Sequence, residues 1–306
     1  MIDAIVAGAP VSFGVFELTP QGAQTVSPDQ MLEALQAADY RGIDLGPVGF
    51  LGRGAELRQR LDRFDLDLAG GWVQLPFSDD EAFAASLHAL RDALAIFAVA
   101  AERSPALLPL PTLADAGSPR RSAAPGRGAD ADPLADDGWR RLVDNVAHAA
   151  ELVRREGFEP TFHHHAGTFV ESPTEVDRFL ELADIDLTLD TGHLLIAGGD
   201  SVAAVERWGA RINHLHLKDV DIALLDRVVA QGGGMTEIWS SGAFVALGEG
   251  DLDITAVMQT MSERGFSGWV VVEQDVLNGS DISIAEFAAQ RAADQSTSRD
   301  VLRQWL

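Results

Sequence analysis

Short runs of β-branched and apolar residues alternate with longer stretches of helical apolar period along nearly the whole chain. The short runs fall at Ala4–Gly8, which leads into PVSFG, and at Gly42–Leu45, Leu68–Leu75 and Ala106–Leu110. They recur at Thr161–His165, Leu187–Asp190, Ile212–Lys218 and Trp269–Glu273. Helix punctuation lies between them. Ser27-Pro28-Asp29 offers Ser27 as an N-cap and Pro28 at the first helical position, where a missing N–H costs nothing. Ser172 and Glu175 have the spacing of a capping box, and Asp253 can cap a helix over Ile254–Arg264 that Gly265 ends. From Ala285 a closing helix runs to an apolar end at Leu302 and Trp305-Leu306.

Strands alternating with helices in this way predict parallel βαβ units, in either a closed barrel or a doubly wound sheet. Eight strands in 306 residues favour the barrel, which needs roughly 250 residues plus loops. A dinucleotide-type sheet wants a GxGxxG turn after its first strand, and PVSFG is not one. The expectation is an α/β fold, a single (β/α)8 TIM barrel over residues 1–306, with outer helices around eight parallel strands. Leu113–Asp137 lacks apolar period and is rich in Ala, Gly, Pro, Asp and Arg, so it reads as a long flexible insertion after the fourth strand. Asp221–Gly242 is a second long connection on the same face, and its Gly232-Gly233-Gly234 reads as a flexible link. The apolar tail either caps the barrel or meets another subunit, which leaves a homo-oligomer open.

Charge and composition narrow the partners. The chain has 23 Lys and Arg against 47 Asp and Glu, a formal net charge of −24. That balance excludes the basic footprint of a nucleic-acid protein and disfavours an anionic membrane surface. No apolar run reads as a transmembrane helix, and MIDAIVAGAP has an early Asp and no basic stretch of a secretory signal, so a cytoplasmic protein is expected. With no cysteine there are no disulfides, thiolate ligands or thiol nucleophile. A metal would have to be held by His, Asp and Glu.

Those residues gather at strand ends: FHHHAGT at 162–168, LDTGH at 189–193, HLHLKD at 214–219 and VVEQD at 271–275. The two-residue period puts His163 with His165 and leaves His164 on the other face; it also groups His214, His216 and Lys218, and Glu273 with Asp275. In a barrel the C-terminal strand ends form the reaction site. Asp190, His216 and Glu273 supply two carboxylates and a nitrogen, and His163 or His165 would complete a mixed set suited to Mn2+, Co2+, Zn2+ or Fe2+. Such an ion can stabilise an enediolate beside a carbonyl, and Lys218 can support the oxyanion or move a proton. Plainer readings stand beside these: Asp190 as a helix cap, Lys218 in a salt bridge to Asp219 or another acid, and Glu273 as the point where an apolar strand meets water.

The blocks FHHHAGTFVESPTEVDRFLE, LTLDTGHLLIAGGD, INHLHLKDV and LGEGDLDITAVMQTMSERGFSGWVVVEQD resemble the xylose-isomerase-like barrel superfamily of sugar (phosphate) isomerases and epimerases. Within it the inosose dehydratase branch of myo-inositol catabolism is the most similar. The resemblance implies four ligands from strands five to eight around a divalent ion, usually Mn2+ or Co2+. Asp190, His216 and Glu273 match three of them, and His163 stands where many members carry Glu. It further implies that His165, His193, Glu17 and Glu171 meet the substrate, and that Lys218, Glu273 and His163 carry the chemistry. Phe13 replaces a frequent Trp. The implied reaction dehydrates a cyclic polyol ketone of the 2-keto-myo-inositol type; sugar or hydroxy-ketone isomerisation or epimerisation is the alternative on the same site. A barrel endonuclease is disfavoured by the charge, and a degenerate sugar-binding barrel by the joint presence of Asp190, His216, Lys218 and Glu273.

Overall fold

A computed structural model describes residues 2–17, 19, 24–278 and 282–306. Its main sheet has nine parallel segments. Two of them, Asp67–Leu68 and Gly70–Leu75, are separated only by Ala69 and run as one bent strand, so the sheet has eight staves. In chain order these are β1 (Asp3–Gly8), β2 (Gly42–Ile43), β3 (the 67–75 pair), β4 (Leu110–Asp115), β5 (Thr161–His163), β6 (Asp186–Asp190), β7 (Ile212–Leu217) and β8 (Ser267–Val272). β1 pairs in parallel with β8. At the other seam Ala69 donates to the carbonyl of Ile43 on β2 and accepts from Leu110 on β4. The barrel is thereby closed, leaving no edge to pair with another chain.

The outer helices form where their caps predict. Ser27 and Ser172 close full capping boxes with Gln30 and Glu175, opening helices Pro28–Ala37 and Pro173–Leu182. Asp253 caps Ile254–Glu263. Helix Asp80–Arg103 is long and apolar enough by composition to cross a membrane, although Arg91 and Asp92 interrupt its apolar run. Here it buries Phe83, Leu90, Leu94, Ile96 and Phe97 against the barrel, so its apolar character is core packing. The last helix, Ile284–Leu302, buries Leu302, and the carbonyl of Trp305 accepts from the N–H of Ile2. The tail therefore lies against the start of β1.

Two expectations change. The fourth strand is not Ala106–Leu110 but Leu110–Asp115. Leu107 and Leu108 are apolar without being fully buried: a turn joins Leu107 to Ser104 and Leu108 stays 39% exposed. The strand therefore takes up the first three residues of the expected insertion. The remainder is folded, with short helices at Pro119–Ser122 and Gly128–Ala131 ahead of the long helix Asp136–Arg155. Its order comes from charged side chains packed inward, notably a fully buried Arg121, which apolar periodicity does not register.

Candidate metal centre and substrate pocket

Strand register brings the chemistry together. Asp190 on β6 is the direct partner of His216 on β7, and His216 is the partner of Val271 on β8, two residues before Glu273. Asp190 divides its carboxylate: Oδ1 accepts the His193 N–H and caps helix Thr191–Ile196, while Oδ2 lies 3.2 Å from His163 Nε2 and 3.7 Å from His216 Nδ1. His216 Nδ1 is 2.9 Å from Glu273 Oε2. One ligand atom from each of His163, Asp190, His216 and Glu273 lies within 4.8 Å of all the others, and all four residues are buried. The sequence allows Asp190 as either cap or ligand, and its two oxygens make both roles available.

Strand parity divides the three consecutive histidines. His163 and His165 line the pocket, and His164 turns away, its Nε2 accepting the backbone N–H of Asp190 at 3.2 Å. Burial pushes the His164 imidazole down to about 3, so it is neutral and free to accept.

Lys218, just past β7, is buried with Nζ 2.8 Å from Asp275 Oδ1, 3.1 Å from Glu273 Oε2 and 3.2 Å from Asp190 Oδ2. His193 Nε2 is 3.0 Å away. Burial opposes its charge, but three carboxylates overcome this and raise the ammonium well above the ordinary lysine range. Asp190 and Glu273 are likewise buried, yet Lys218 and the neighbouring imidazoles hold both below the usual carboxylate range. Asp275 goes the other way, pushed up to about 6 by burial and by the charges of Glu273 and Asp190 against the pull of Lys218. Lys218 is thus in salt bridges with acids, but with Asp275, Glu273 and Asp190 rather than Asp219. The Asp219 carboxylate accepts the backbone N–H groups of Val220, Gly248, Gly250 and Leu252 and ties down the loop that leads into helix Ile254–Glu263.

The cluster opens into a cavity of about 400 Å³. Its walls include Trp72, Gln74, Phe16, Trp239, Met235 and residues 116–119 of the insertion. Trp72 stands edge-on to His163, with ring centroids 5.1 Å apart, and 4.9 Å from His165. Glu17 also lines the cavity; it faces the opening yet is crowded by protein, and desolvation reinforced by Asp44, Glu273 and Asp275 pushes it up to about 7. His193 is fully buried behind this wall, its ring centroid 3.6 Å from that of His165. Glu171 is not part of the lining: its carboxylate is spent on backbone N–H groups of Gly126, Gly128 and Gly167. Phe13 is buried, and Pro10, Val11, Val15 and Phe16 form that side of the pocket.

The sequence pattern assigns no role to Asp275, Asp44 or Trp72. Asp44 follows β2 directly, and its Oδ2 lies 3.8 Å from His216 Nε2, on the ring edge opposite Glu273. The signal is present, an acid at a strand end, but on a two-residue strand without alternation to display it. Trp72 lies inside a strand and reads as core.

The donor set fits a divalent ion. Among the described residues Asp190 Oδ2 and His216 Nδ1 are buried without a directed hydrogen bond, although carboxylate and imidazole atoms crowd them. Atoms aimed at a shared centre rather than at one another are the arrangement a coordinated ion needs.

Residues 15–304 match the family described as the xylose isomerase-like TIM barrel. An inosose dehydratase of Bacillus licheniformis is 29% identical over 254 residues, 80% of this chain and 80% of that protein. Among solved structures, the probable 3-DHS dehydratase AsbF of Bacillus anthracis superposes with a TM-score of 0.65 at 14% identity, covering 97% of this chain and 98% of that one. The IOLI protein, solved with a bound zinc atom, gives 0.66 at 12% identity and covers 99% of each chain. With nearly its full length matched and a closed barrel carrying buried His, Asp and Glu at its strand ends, this chain belongs to the xylose isomerase-like TIM barrel family.

Proposed function

We propose that the chain is a divalent-metal-dependent dehydratase acting on an uncharged cyclic polyol ketone of the 2-keto-myo-inositol type. The reaction class is supported by the four-donor cluster and by the likeness to inosose dehydratases. His163, Asp190, His216 and Glu273 are the proposed ligands, with Mn2+ or Co2+ the ions best suited to two nitrogens and two carboxylates. Such an ion supplies Lewis acidity toward a ketone and its neighbouring hydroxyl.

The observation that carries the substrate class is the charge of the pocket. Among the described lining residues Glu17, Asp44, Glu273 and Asp275 are acids, and Lys218 is the only Lys or Arg. Lys218 is already paired with three carboxylates. A phosphate or carboxylate on the substrate would want an arginine or a free lysine, and even with a divalent ion bound it would face uncompensated acids. A neutral polyol suits this wall, with aromatic faces for its ring and Gln74, His165 and Glu17 for its hydroxyls.

The proton leaving the carbon beside the ketone passes to the Asp275 carboxylate, which lines the pocket and is not a proposed ligand. At about 6 this acid is ionised near neutral pH, while the positive charge of Lys218 beside it supports the oxygen that becomes anionic. Glu273 and His163 fix the geometry at the same centre. Glu17, at about 7, carries the proton that leaves with the β-hydroxyl as water. His193 Nε2 holds Lys218 Nζ at 3.0 Å and lies 3.5 Å from Asp275 Oδ2, helping to fix the lysine against its acids. Isomerisation or epimerisation of a hydroxy-ketone shares the first half of this sequence and is the second reading, favoured only by the common cluster.

A substrate panel tests the reading. We expect the Mn2+- or Co2+-loaded protein to convert 2-keto-myo-inositol to an enolised dione, seen by its ultraviolet absorbance, and to leave 3-dehydroshikimate and ketose phosphates untouched. Turnover of a phosphorylated or carboxylated substrate in preference to the inosose would refute the uncharged-substrate reading. Ketose interconversion without water loss would establish the second reading.

A further inference from the structure

The insertion after β4 is bound to the loop after β5 at three points, each through a buried charge. Asp115 Oδ2 accepts the backbone N–H groups of Gly117 and Phe169. Arg121, fully buried, donates to the carbonyls of Thr168 and Asp132 and to Glu175 Oε1, and its guanidinium lies 4.8 Å from the centre of the Phe169 ring. Glu171 accepts from Gly126 and Gly167 at 2.8 Å and from Gly128 at 2.9 Å. A carboxylate with this many charge-assisted bonds to backbone fixes the segments that donate to it. Gly128 approaches so closely that a Cβ there would lie 2.5 Å from Glu171 Oε2.

The segment held in this way has two faces. Ala116, Gly117, Ser118, Pro119 and Ser122 line the substrate pocket. Pro119 and Ser122, with Met235 from the connection after β7, also line an outer groove of about 740 Å³ bounded by Gln231 and the glycines 232–234. The same three residues thus divide the inner pocket from the outer groove. Gly234 permits the abutment, since a Cβ there would sit 2.8 Å from the Ser122 carbonyl.

We propose that residues 116–131 are a fixed wall of the substrate pocket, with Glu171 as its positioning residue, and that this wall limits the size of ring substituent the site accepts. A bare polyol ketone fits inside the wall, whereas an O-glycosylated ring would need its second sugar to pass Pro119, Ser122 and Met235 into the outer groove. The proposal rests on the ring-ketone reading above, but the latch itself does not.

Glu171→Gln tests it, because the amide keeps one acceptor oxygen and sets an NH2 against the remaining donors. We expect hydrogen exchange at the amides of Gly126 and Gly128 to rise by about ten-fold, the scale of one lost charged hydrogen bond. KM for the ring ketone should rise by a similar factor with kcat within about two-fold, since binding and not the reacting centre is altered. Discrimination against an O-glycosylated ring ketone should fall. Faster exchange with unchanged KM and unchanged discrimination would overturn the wall, and unchanged exchange would overturn the latch. Should Glu171→Gln fail to fold, Ser122→Trp at the exposed boundary is the second probe: it should sharpen discrimination against the glycosylated ketone, and an unaltered ratio overturns the proposal. Absence of ring-ketone turnover by the unaltered protein would refute the functional reading instead, leaving exchange in Glu171→Gln to judge the latch.

Discussion

Lys218 Nζ lies 3.2 Å from Asp190 Oδ2, the oxygen that is also 3.2 Å from His163 Nε2. The ammonium therefore shares an acceptor with the proposed metal ligands and neutralises part of the anionic cluster. Among the described residues, replacing it removes the only lining Lys or Arg from a buried group of carboxylates. We expect Lys218→Met to destabilise the chelated protein by about 3–5 kcal/mol, the cost of buried charge left unpaired. Saturating Mn2+ should restore most of that loss, because an ion that binds only the folded state stabilises it by mass action. Thermal unfolding with and without metal checks both, and turnover should stay at least ~100-fold down even when metal is bound.

Loss of His163 should act on metal affinity first. We expect His163→Ala to weaken Mn2+ binding by ~100-fold or more, beyond the usual effect of losing an outer-shell partner. His165→Ala should leave affinity nearly unchanged and raise KM instead, because His165 Nδ1 is engaged with the carbonyl of Ala166 and its ring faces Trp72. Calorimetric titration of metal into the two variants separates them.

Gly192 tests the packing behind Lys218. A Cβ at this position would lie 2.5 Å from Lys218 Cβ and 2.9 Å from the Phe244 ring. Thr191 Oγ1 meanwhile bonds both the carbonyl and the N–H of Lys218, so the lysine backbone cannot easily retreat. Gly192→Ala should lower kcat far more than it lowers metal affinity. Equal effects on both would mean that the displacement reaches the ligands as well.

Asp115 gives a pH signature of stability. Burial pushes its carboxyl up to about 6 from 3.8, against the pull of the Phe169 and Gly117 N–H groups and of Arg121. Its folded-state affinity for the proton exceeds the unfolded one, so its stabilising effect is full below pH 3.8 and is lost as pH rises to about 6. The loss amounts to about 3 kcal/mol, since each tenfold gain in proton affinity is worth about 1.4 kcal/mol. Asp115→Asn keeps an acceptor for both N–H groups and carries no charge. Urea unfolding should show its stabilising effect growing between about pH 4 and 6.5 and level above; a gain independent of pH would contradict this assignment.

Much of this site was legible because β-strand parity is strict. His163 with His165, and Glu273 with Asp275, follow from a two-residue period, and the DTGH and HLKD segments fixed which strands contribute. What stayed hidden depends on contacts distant in sequence. Glu171 resembles a pocket residue by its place after the histidines, but its acceptors are filled by glycines at 126 and 128. Residues 113–137 read as a flexible insertion because apolar periodicity ignores a buried arginine, and Arg121 has three acceptors to satisfy it. Asp44 and Trp72 become visible only once β2 and β3 are curled into the barrel wall.

The most direct test of a metal-dependent dehydratase is proton NMR of 2-keto-myo-inositol incubated with the chelated protein and with the same protein reloaded with Mn2+ and then chelated again to remove the paramagnetic ion before acquisition. We expect the ring to lose one water only in the reloaded sample and no change in the chelated one. Equal water loss in both samples, or a reloaded sample whose ring is intact while ketoses interconvert, would contradict it.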